Sequence, residues 1–319
     1  MTRDQIVDFI NKFNSLTEYP LSKMLNNLKI GKPKFYEWKK RYGMANKHNG
    51  HIPKDKWITP NEKKAIIDYY KDNPLNGVRR LSYMMMDENI AYVSANTIHR
   101  VLKKEGLMEI RTLPISSKGK GFDQPVSVHQ QWHIDVSYIN ISGTFYYLCS
   151  IIDGYSRFLV HWDLKESMKE EDIEIVVQEA LEKNKGCQPR LISDNGPQFK
   201  AKDFKEFIRF CGMEHTFTRP YYPESNGKIE RWFKELKQNC IRPFQPQTLA
   251  DAKKYITNFI EIYNYKRLHS AIGYVTPYDK LLGLENNLFK ERKEKLVIAL
   301  EKRKFYWKQK KQKDLALAS

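Results

Sequence analysis

The chain has 319 residues, 41% of them hydrophobic and 13% aromatic, so it is longer than one typical domain and too apolar for a disordered tail. Its 55 Lys and Arg residues exceed its 38 Asp and Glu residues, and the net charge of +17 suits a polyanionic partner, nucleic acid above all. A ribosome-like or merely soluble basic protein is the alternative. The sequence has no apolar run of bilayer length and no signal-like N-terminus, so we expect a cytoplasmic protein with no membrane partner.

The first 50 residues have the pattern of three short helices. Residues 4–14 carry apolar side chains at helical spacing, Leu21 begins a second helix, and Pro33 opens a third that ends near Gly43. In a helix-turn-helix module the last helix enters the major groove of DNA. We therefore predict a first all-α DNA-binding domain over residues 1–50. Its candidate DNA contacts are Lys34, Lys39, Lys40 and Arg41.

The helical pattern repeats in residues 51–110. Thr59 and Ser94 stand where helix N-caps are expected, and Gly106 stands where the last helix would end. Three-helix clusters are common in proteins that never touch DNA, but two in tandem in a basic chain favour a second helix-turn-helix domain. Its candidate DNA contacts are Asn96, Thr97, His99, Arg100 and Lys103. Residues 111–128, rich in Pro, Gly, Ser and Lys, are predicted to be a basic linker.

From Gln131 the sequence becomes strand-like. Segments rich in β-branched and aromatic residues alternate with turn residues and then with helical patterns, in the order β-β-β-α-β-α-β-α. This order is that of the ribonuclease H-like fold, so the predicted fold class is α/β, a mixed five-stranded sheet with flanking helices over residues 129–270. The predicted strands are 132–139, 144–152, 157–163, 190–193 and 215–218, and the predicted helices are 170–183, 201–211, 224–240 and 249–265.

Three acidic residues stand where this element order would bring them together. Strand alternation puts Asp135 on one face with His133, and a charged residue in a strand fit for burial is costly unless a positive charge lies beside it. Asp194 follows a short strand at its carboxyl end, where α/β sheets place ligands. Glu230 lies next to an apolar helix stripe that begins at Ile229. The trio therefore marks a candidate catalytic site.

Each acid also has an ordinary structural interpretation. Asp135 could be an edge residue of the sheet. Asp194 could belong only to an Asp-Asn-Gly turn, and Glu230 could be an exposed acid paired with Lys234 four residues on. Taken together, in this order of strands and helices, the three acids favour chemistry.

Residues 132–277 resemble the catalytic core of the DDE enzymes, the superfamily of retroviral integrases and bacterial insertion-sequence transposases. The spacing matches as well, since 35 residues lie between Asp194 and Glu230, as in the family's D,D-35-E pattern. The matching segments are WHIDVSYI, LCSIIDGYSRFLV, LISDNGPQF, YYPESNGKIERWFKELK and YNYKRLHSAIGYVTP.

The resemblance implies an enzyme that binds element ends, exposes a 3′-OH and joins it to target DNA. It implies that Asp135, Asp194 and Glu230 are the catalytic residues and hold two Mg²⁺ ions, with Mn²⁺ as a substitute, and we expect Asp135 to bridge both ions. The implied partners are the DNA ends, the target DNA and at least one further copy of the chain, in a bacterial, nucleoid-associated complex. Lys228 is expected to contact a DNA phosphate; the alternative is a solvated helix charge.

Other residues qualify the resemblance. His48 and His51 have no cysteine partners, which predicts no structural zinc and favours the bacterial elements. Glu224 is a second acid near the site, expected to be a loop residue but an alternative metal ligand, and Asp153 is expected to be structural. The four scattered cysteines are expected to be reduced thiols. Two other functions stay open: a DNA-binding regulator with an inert core, and a nuclease that cleaves but never joins.

The basic C-terminal extension, residues 271–319, contains a predicted amphipathic helix at 288–304. The aromatic run at 305–307 follows, and then Lys308, Lys310, Lys311 and Lys313. Aromatic side chains beside lysines suit either DNA or a partner subunit, whereas a terminal charge run is often an idle, solvated tail. We expect the extension to act in the assembled protein–DNA complex.

Overall fold

The structure, a computed structural model, describes residues 3–44, 56–108, 124–218 and 226–316, with side chains as far as residue 313. The chain divides into two compact units, Met1–Lys54 and Asp55–Ser319. The finer domain boundaries drawn from the sequence, at residues 50, 110, 128 and 270, stay predictions. His48, His51 and Glu224, and most of the predicted linker, lie outside the described residues.

The first unit has three helices, as the sequence predicts. They are α1 (Arg3–Leu16), α2 (Leu21–Asn27) and α3 (Lys32–Lys40). Gly31 caps α3, and the proline in its first turn has no N–H that would be left unpaired there. The three helices enclose a small core formed by Val7, Ile10, Met24, Leu25 and Phe35.

The second unit begins with three helices, which we call the second helical module (residues 56–108). They are α4 (Pro60–Asp72), α5 (Val78–Asp87) and α6 (Ala95–Lys104). Both predicted caps are present: the side chains of Thr59 and Ser94 accept hydrogen bonds from the third backbone N–H of α4 and α6. Glu62 completes a capping box by accepting from the Thr59 N–H at 2.8 Å. The core of the module is formed by Ile66, Leu81, Met85, Ala91, Val93, Ile98, Val101 and Leu102.

A five-stranded mixed sheet follows, with the strands β1 (Gln131–Ile141), β2 (Thr144–Asp153), β3 (Leu159–Lys165), β4 (Arg190–Ser193) and β5 (Glu214–Phe217). Their order in the sheet is β3-β2-β1-β4-β5. The first three strands pair antiparallel, and β4 and β5 run parallel to β1, which confirms the predicted ribonuclease H-like arrangement. The predicted start of β3 was wrong: β3 begins at Leu159 and not at Arg157, because Arg157 has φ 66° and lies in the turn between β2 and β3. The other strands differ from their predicted bounds by at most two residues.

Helices cover both faces of the sheet. On one face, α7 (Glu170–Lys183), α8 (Pro197–Lys200) and α9 (Lys202–Phe210) pack with the β1 residues Trp132 and Ile134. On the other, α10 (Gly227–Leu236) and α12 (Leu249–Tyr265) pack with Ile139 and Ile141. Alternating residues of β1 thus enter different cores, as strand geometry requires.

The helix expected at 201–211 is present as α9, and the short helix α8, which was not predicted, precedes it. One predicted helix is interrupted. The helix expected to run to Cys240 leaves α-geometry after Leu236 through a π-helical turn, Lys237–Ile241, before α11 (Arg242–Phe244). Pro243 accounts for the end of the regular helix, because it has no N–H to donate to the preceding turn.

The C-terminal part consists of a 3-10 turn (Ser270–Ile272), α13 (Pro277–Leu281) and α14 (Glu285–Ala316). The helix α14 has 32 residues and is longer than the predicted 288–304. All four cysteines are free thiols, as expected. In the part of the chain that the structure describes, no helix is both long and apolar enough to span a bilayer.

Candidate active site

Asp135 lies in the middle of β1, opposite Ser150 of β2, and its side chain is half-buried on the face that α10 covers. Its Oδ1 accepts a hydrogen bond from the Val136 N–H at 2.8 Å. Burial, followed by the negative charges of Asp194 and Glu230, raises the pKa of Asp135 to about 7. The carboxylates are therefore near enough to repel one another, and a cation would relieve this repulsion.

Asp194 is held at the end of β4 beside Asp135. The parallel register pairs His133 with Ile192, and two more residues along each strand lead to Asp135 and Asp194. The Asp194 Oδ1 accepts from the Gly196 N–H at 2.9 Å, so the Asp-Asn-Gly turn expected from the sequence is present and orients this carboxylate. The turn and the catalytic interpretations are compatible.

Glu230 lies in the first turn of α10 and is exposed, while partial burial of its carboxyl raises its pKa. It lines an open cavity of about 410 Å³ together with Asp135. The helix is fixed by its opposite face, where the predicted apolar stripe is buried: Ile229, Trp232, Phe233, Leu236 and Cys240. Among the ion pairs of the described residues, none joins Glu230 to Lys234, the pairing expected for a merely structural acid.

A strand, a strand end and a helix start thus bring the three predicted acids near one another. They do not form a closed ligand set, because the described residues contain no cluster of three His, Cys, Asp or Glu side chains that could hold a metal ion as they stand. The donor set nevertheless fits a hard divalent cation, since all three donors are carboxylates. Burial is the main reason why the pKa of Asp135 is raised, and the charges of Asp194 and Glu230 raise it further, against the opposite effect of Lys237.

Sequence reasoning missed a buried polar cluster behind Asp135. His133, on the same face of β1, is 1% exposed, and burial with the charges of Lys228 and Arg157 lowers its pKa to about 3, so the ring is neutral. Asn226 lies near the ring, but neither ring nitrogen makes a hydrogen bond of good geometry. Strand alternation predicted that His133 lies on the same face of β1 as Asp135, but a single histidine in the sequence did not indicate a buried polar cluster.

Lys228 belongs to this cluster and not to the open face of α10. Burial and the charge of Arg157 lower its pKa to about 7, although Asp153 has the opposite effect. Its contact with DNA stays a prediction. Asp153 is fully buried and accepts from the His129 N–H and from the N–H and hydroxyl of Ser156, at 2.9, 2.7 and 2.6 Å, which agrees with the structural role expected for it.

The candidate DNA contacts lie mostly on exposed helix faces. On α3, Lys34, Lys39 and Lys40 are exposed, while Arg41 just beyond the helix is half-buried and 3.5 Å from Glu37. On α6, Asn96, His99, Arg100 and Lys103 are exposed. Thr97 is half-buried, and its hydroxyl lies 3.1 Å from that of Ser94, so it is tied to the cap. Both helices therefore present basic side chains to solvent.

Comparison with known proteins places the sheet and its helices in one family. Two family models described as Integrase core domain match residues 125–223 and 211–277. Among similar proteins, the transposase for insertion sequence element IS904 of Lactococcus lactis is 31% identical over 151 residues, 46% of this chain and 59% of that protein. The chain thus spans less than two thirds of this relative. The putative transposase InsK for IS150 of Escherichia coli is 22% identical over 274 residues, 82% of this chain and 93% of that protein.

Two solved integrase cores are similar to this chain, at low identity and low TM-score. The catalytic core domain of BIV integrase is 22% identical, with a TM-score of 0.40, over 50% of this chain and 99% of that one. The HTLV-2 integrase catalytic core domain in complex with magnesium is 19% identical, with a TM-score of 0.39, over 49% of this chain and 97% of that one.

Proposed function

We propose that this chain, which belongs to the DDE transposases of the retroviral-integrase superfamily, binds the ends of its own mobile element, cleaves DNA to expose a 3′-OH and joins that hydroxyl to target DNA. The observation that carries the proposal is the convergence of Asp135, Asp194 and Glu230. They come from a strand, a strand end and a helix start, and the pKa of Asp135 responds to the other two. The similarity to the IS904 transposase supports the same activity.

Asp135, Asp194 and Glu230 would hold two Mg²⁺ ions, with Mn²⁺ as a substitute and Asp135 shared between the sites. When bound, such ions activate the attacking oxygen and stabilise the leaving oxygen of an in-line phosphoryl transfer. The protein supplies rigidity: β1 and β4 fix two carboxylates through the sheet register, and the buried stripe of α10 fixes the third. Glu230 is the exposed member of the three and is the one that incoming DNA would meet first.

Recognition of the ends would fall to the exposed faces of α3 and α6. The net charge of +17 provides attraction to phosphate, and the polar residues of α6, Asn96 and Arg100 among them, can read base edges in the major groove. Bringing two ends together would require at least two copies of the chain. The N-terminal helical modules favour a protein that finds particular DNA ends over a general nuclease.

The experiment that tests this proposal uses purified full-length protein, labelled DNA from the flanks of its own gene, a target plasmid and Mg²⁺. The expected products are a nicked end and an end joined to the plasmid, and both should disappear in EDTA or with Asp135→Asn. Nicking without joining would identify a nuclease, and binding without either reaction would identify a DNA-binding regulator.

A further inference from the structure

The C-terminal helix α14 packs along the second helical module and is held there by buried side chains. Arg292 is 4% exposed, and its Nε and Nη2 donate to the Asp87 carboxylate at 2.8 and 2.6 Å. Arg292 also donates to the Tyr274 carbonyl at 2.8 Å, and its guanidinium lies 4.7 Å from the centre of the Tyr83 ring. This end of α14 is therefore fixed against α5.

The C-terminal half of α14 contacts the same module. Arg303 donates to the Glu62 carboxylate and, at 2.7 Å, to the carbonyl of Tyr92. Trp307, which the sequence suggested for DNA or a partner subunit, is 7% exposed and donates from Nε1 to the Trp57 carbonyl at 2.8 Å. The helix α14 is thus packed against the second helical module and is not a free tail.

A cavity of about 440 Å³ lies where α5, the start of α6, Tyr274 and α14 meet. Its rim carries the exposed cations Arg79 of α5 and Lys293 of α14, and its wall includes Ser94 and Ala95 at the N-terminus of α6. No acidic side chain is among the described residues that line it. The positive end of the α6 dipole and two cations therefore face one space.

Arg292 also lines the cavity and is almost fully buried, but its charge is paired with that of Asp87. Arg79 and Lys293 are different, because neither takes part in an ion pair among the described residues. Their charges are therefore available to an anion in the cavity. The other walls are apolar, formed by Tyr83, Met86, Tyr274, Phe289 and Leu296.

We propose that this cavity binds one backbone phosphate of the DNA that α6 reads, with Arg79 and Lys293 as its side-chain ligands. The inference rests on the proposed end binding by α6. The exposed residues of α6 begin at Asn96, directly after Ala95 of the cavity wall. A DNA strand that contacts α6 would therefore pass the rim of the cavity. The apolar wall suits the adjoining deoxyribose. The helix α14 then forms part of the end-binding surface.

The test measures binding of a labelled end duplex to the full-length protein across a range of salt concentrations. Lys293→Ala and Arg79→Ala should each weaken binding by about 5- to 10-fold near 0.1 M salt, and each should reduce the slope of log K against log salt by about 0.9. Both side chains are exposed, so the variants should fold normally. Lys302→Ala is the matched control, because Lys302 is exposed on the opposite flank of α14 and does not line the cavity.

Ethylation interference sharpens the assignment. Ethylation of one DNA phosphate should block binding of the unmodified protein but should have no further effect on Lys293→Ala. The double variant Arg79→Ala, Lys293→Ala should lose less binding free energy than the sum of the two single variants' losses. Unchanged affinity and salt slope in both single variants would overturn the inference. So would stabilisation of the protein by dAMP that Lys293→Ala abolishes while DNA binding stays normal, because the cavity would then serve a free nucleotide.

Failure of the proposed function can be distinguished from failure of the cavity's role. If the unmodified protein does not bind the end duplex specifically, the proposed function fails. If it binds and Arg100→Ala on α6 weakens binding while Arg79→Ala and Lys293→Ala do not, only the role of the cavity fails.

Discussion

Arg303 and Glu62 are separated by 241 positions in the chain, yet the Arg303 Nε and Nη2 atoms donate to the Glu62 carboxylate at 2.9 and 2.6 Å. The same carboxylate accepts from the backbone N–H of Thr59 at 2.8 Å. Glu62 therefore closes the capping box of α4 and anchors α14. Burial alone would raise the pKa of Glu62, but Arg303 and Thr59 outweigh it and hold the pKa below 4.5.

The first prediction is that Glu62→Gln lowers the free energy of unfolding by about 1–3 kcal/mol at pH 7, as expected for a hydrogen bond between charged groups. Because the pKa of Glu62 is lowered in the folded state, its contribution is complete above about pH 4.5 and disappears as the pH falls through the lower, folded pKa. Urea unfolding at a series of pH values from 7 downward measures this difference. Asp68→Asn, an exposed acid on the same helix, is the control, and a Glu62→Gln deficit that does not shrink as the pH falls below 4.5 would contradict the prediction.

The second prediction concerns removal of residues 285–319. The sequence alone suggested that this deletion would weaken the two-end complex far more than binding to one end. The structure changes the expectation, because the deletion leaves Asp87 and Glu62 without their arginines and exposes the surface that Trp307 covers. Binding to a single end should weaken as well, and protease cleavage within residues 56–108 should become faster. Unchanged single-end affinity with intact protease resistance would restore the original expectation.

How far the sequence could predict the molecule depends on how local each signal is. The caps at Thr59 and Ser94, the alternation around Asp135 and the stripe beside Glu230 are local patterns, and the structure contains each of them. The pairing of Arg303 with Glu62 joins segments that are distant in the chain. It could not be predicted, because the helical pattern around an arginine does not show whether the side chain is buried in an ion pair or solvated. The π-helical turn after Leu236 also escaped prediction, since Pro243 signals a break but not its geometry.

The third prediction is that Asp135→Asn, Asp194→Asn or Glu230→Gln abolishes both cleavage and joining while end binding is retained, because amides keep the shape but lose the charge that holds Mg²⁺. In the absence of metal, Asp135→Asn should also raise the melting temperature, since it removes a half-buried charge that two other acids repel. The stabilisation that Mg²⁺ gives the unmodified protein should be lost in this variant.

Differential scanning fluorimetry with and without Mg²⁺, run beside the strand-transfer assay, checks both effects. Glu261→Gln, an exposed acid on α12, is the control and should behave as the unmodified protein does. Near-normal strand transfer by any of the three variants would exclude that residue as a ligand.

The last prediction separates the contributions that we propose for the two N-terminal helical modules. Deleting residues 1–112 would also remove the partners of α14 and the contact between Arg80 and the Leu268 carbonyl at 2.9 Å, so loss of binding would have two explanations. Removing only residues 1–54 is cleaner, because this unit is compact and has its own core. The shortened protein should keep its unfolding transition and still bind the element end through α6. Its footprint should lose only the segment that α3 contacts, and the salt slope should fall with the lost phosphate contacts. Adding Arg100→Ala should then abolish the remaining specificity, and an unchanged footprint after the deletion would remove α3 from the end-binding surface.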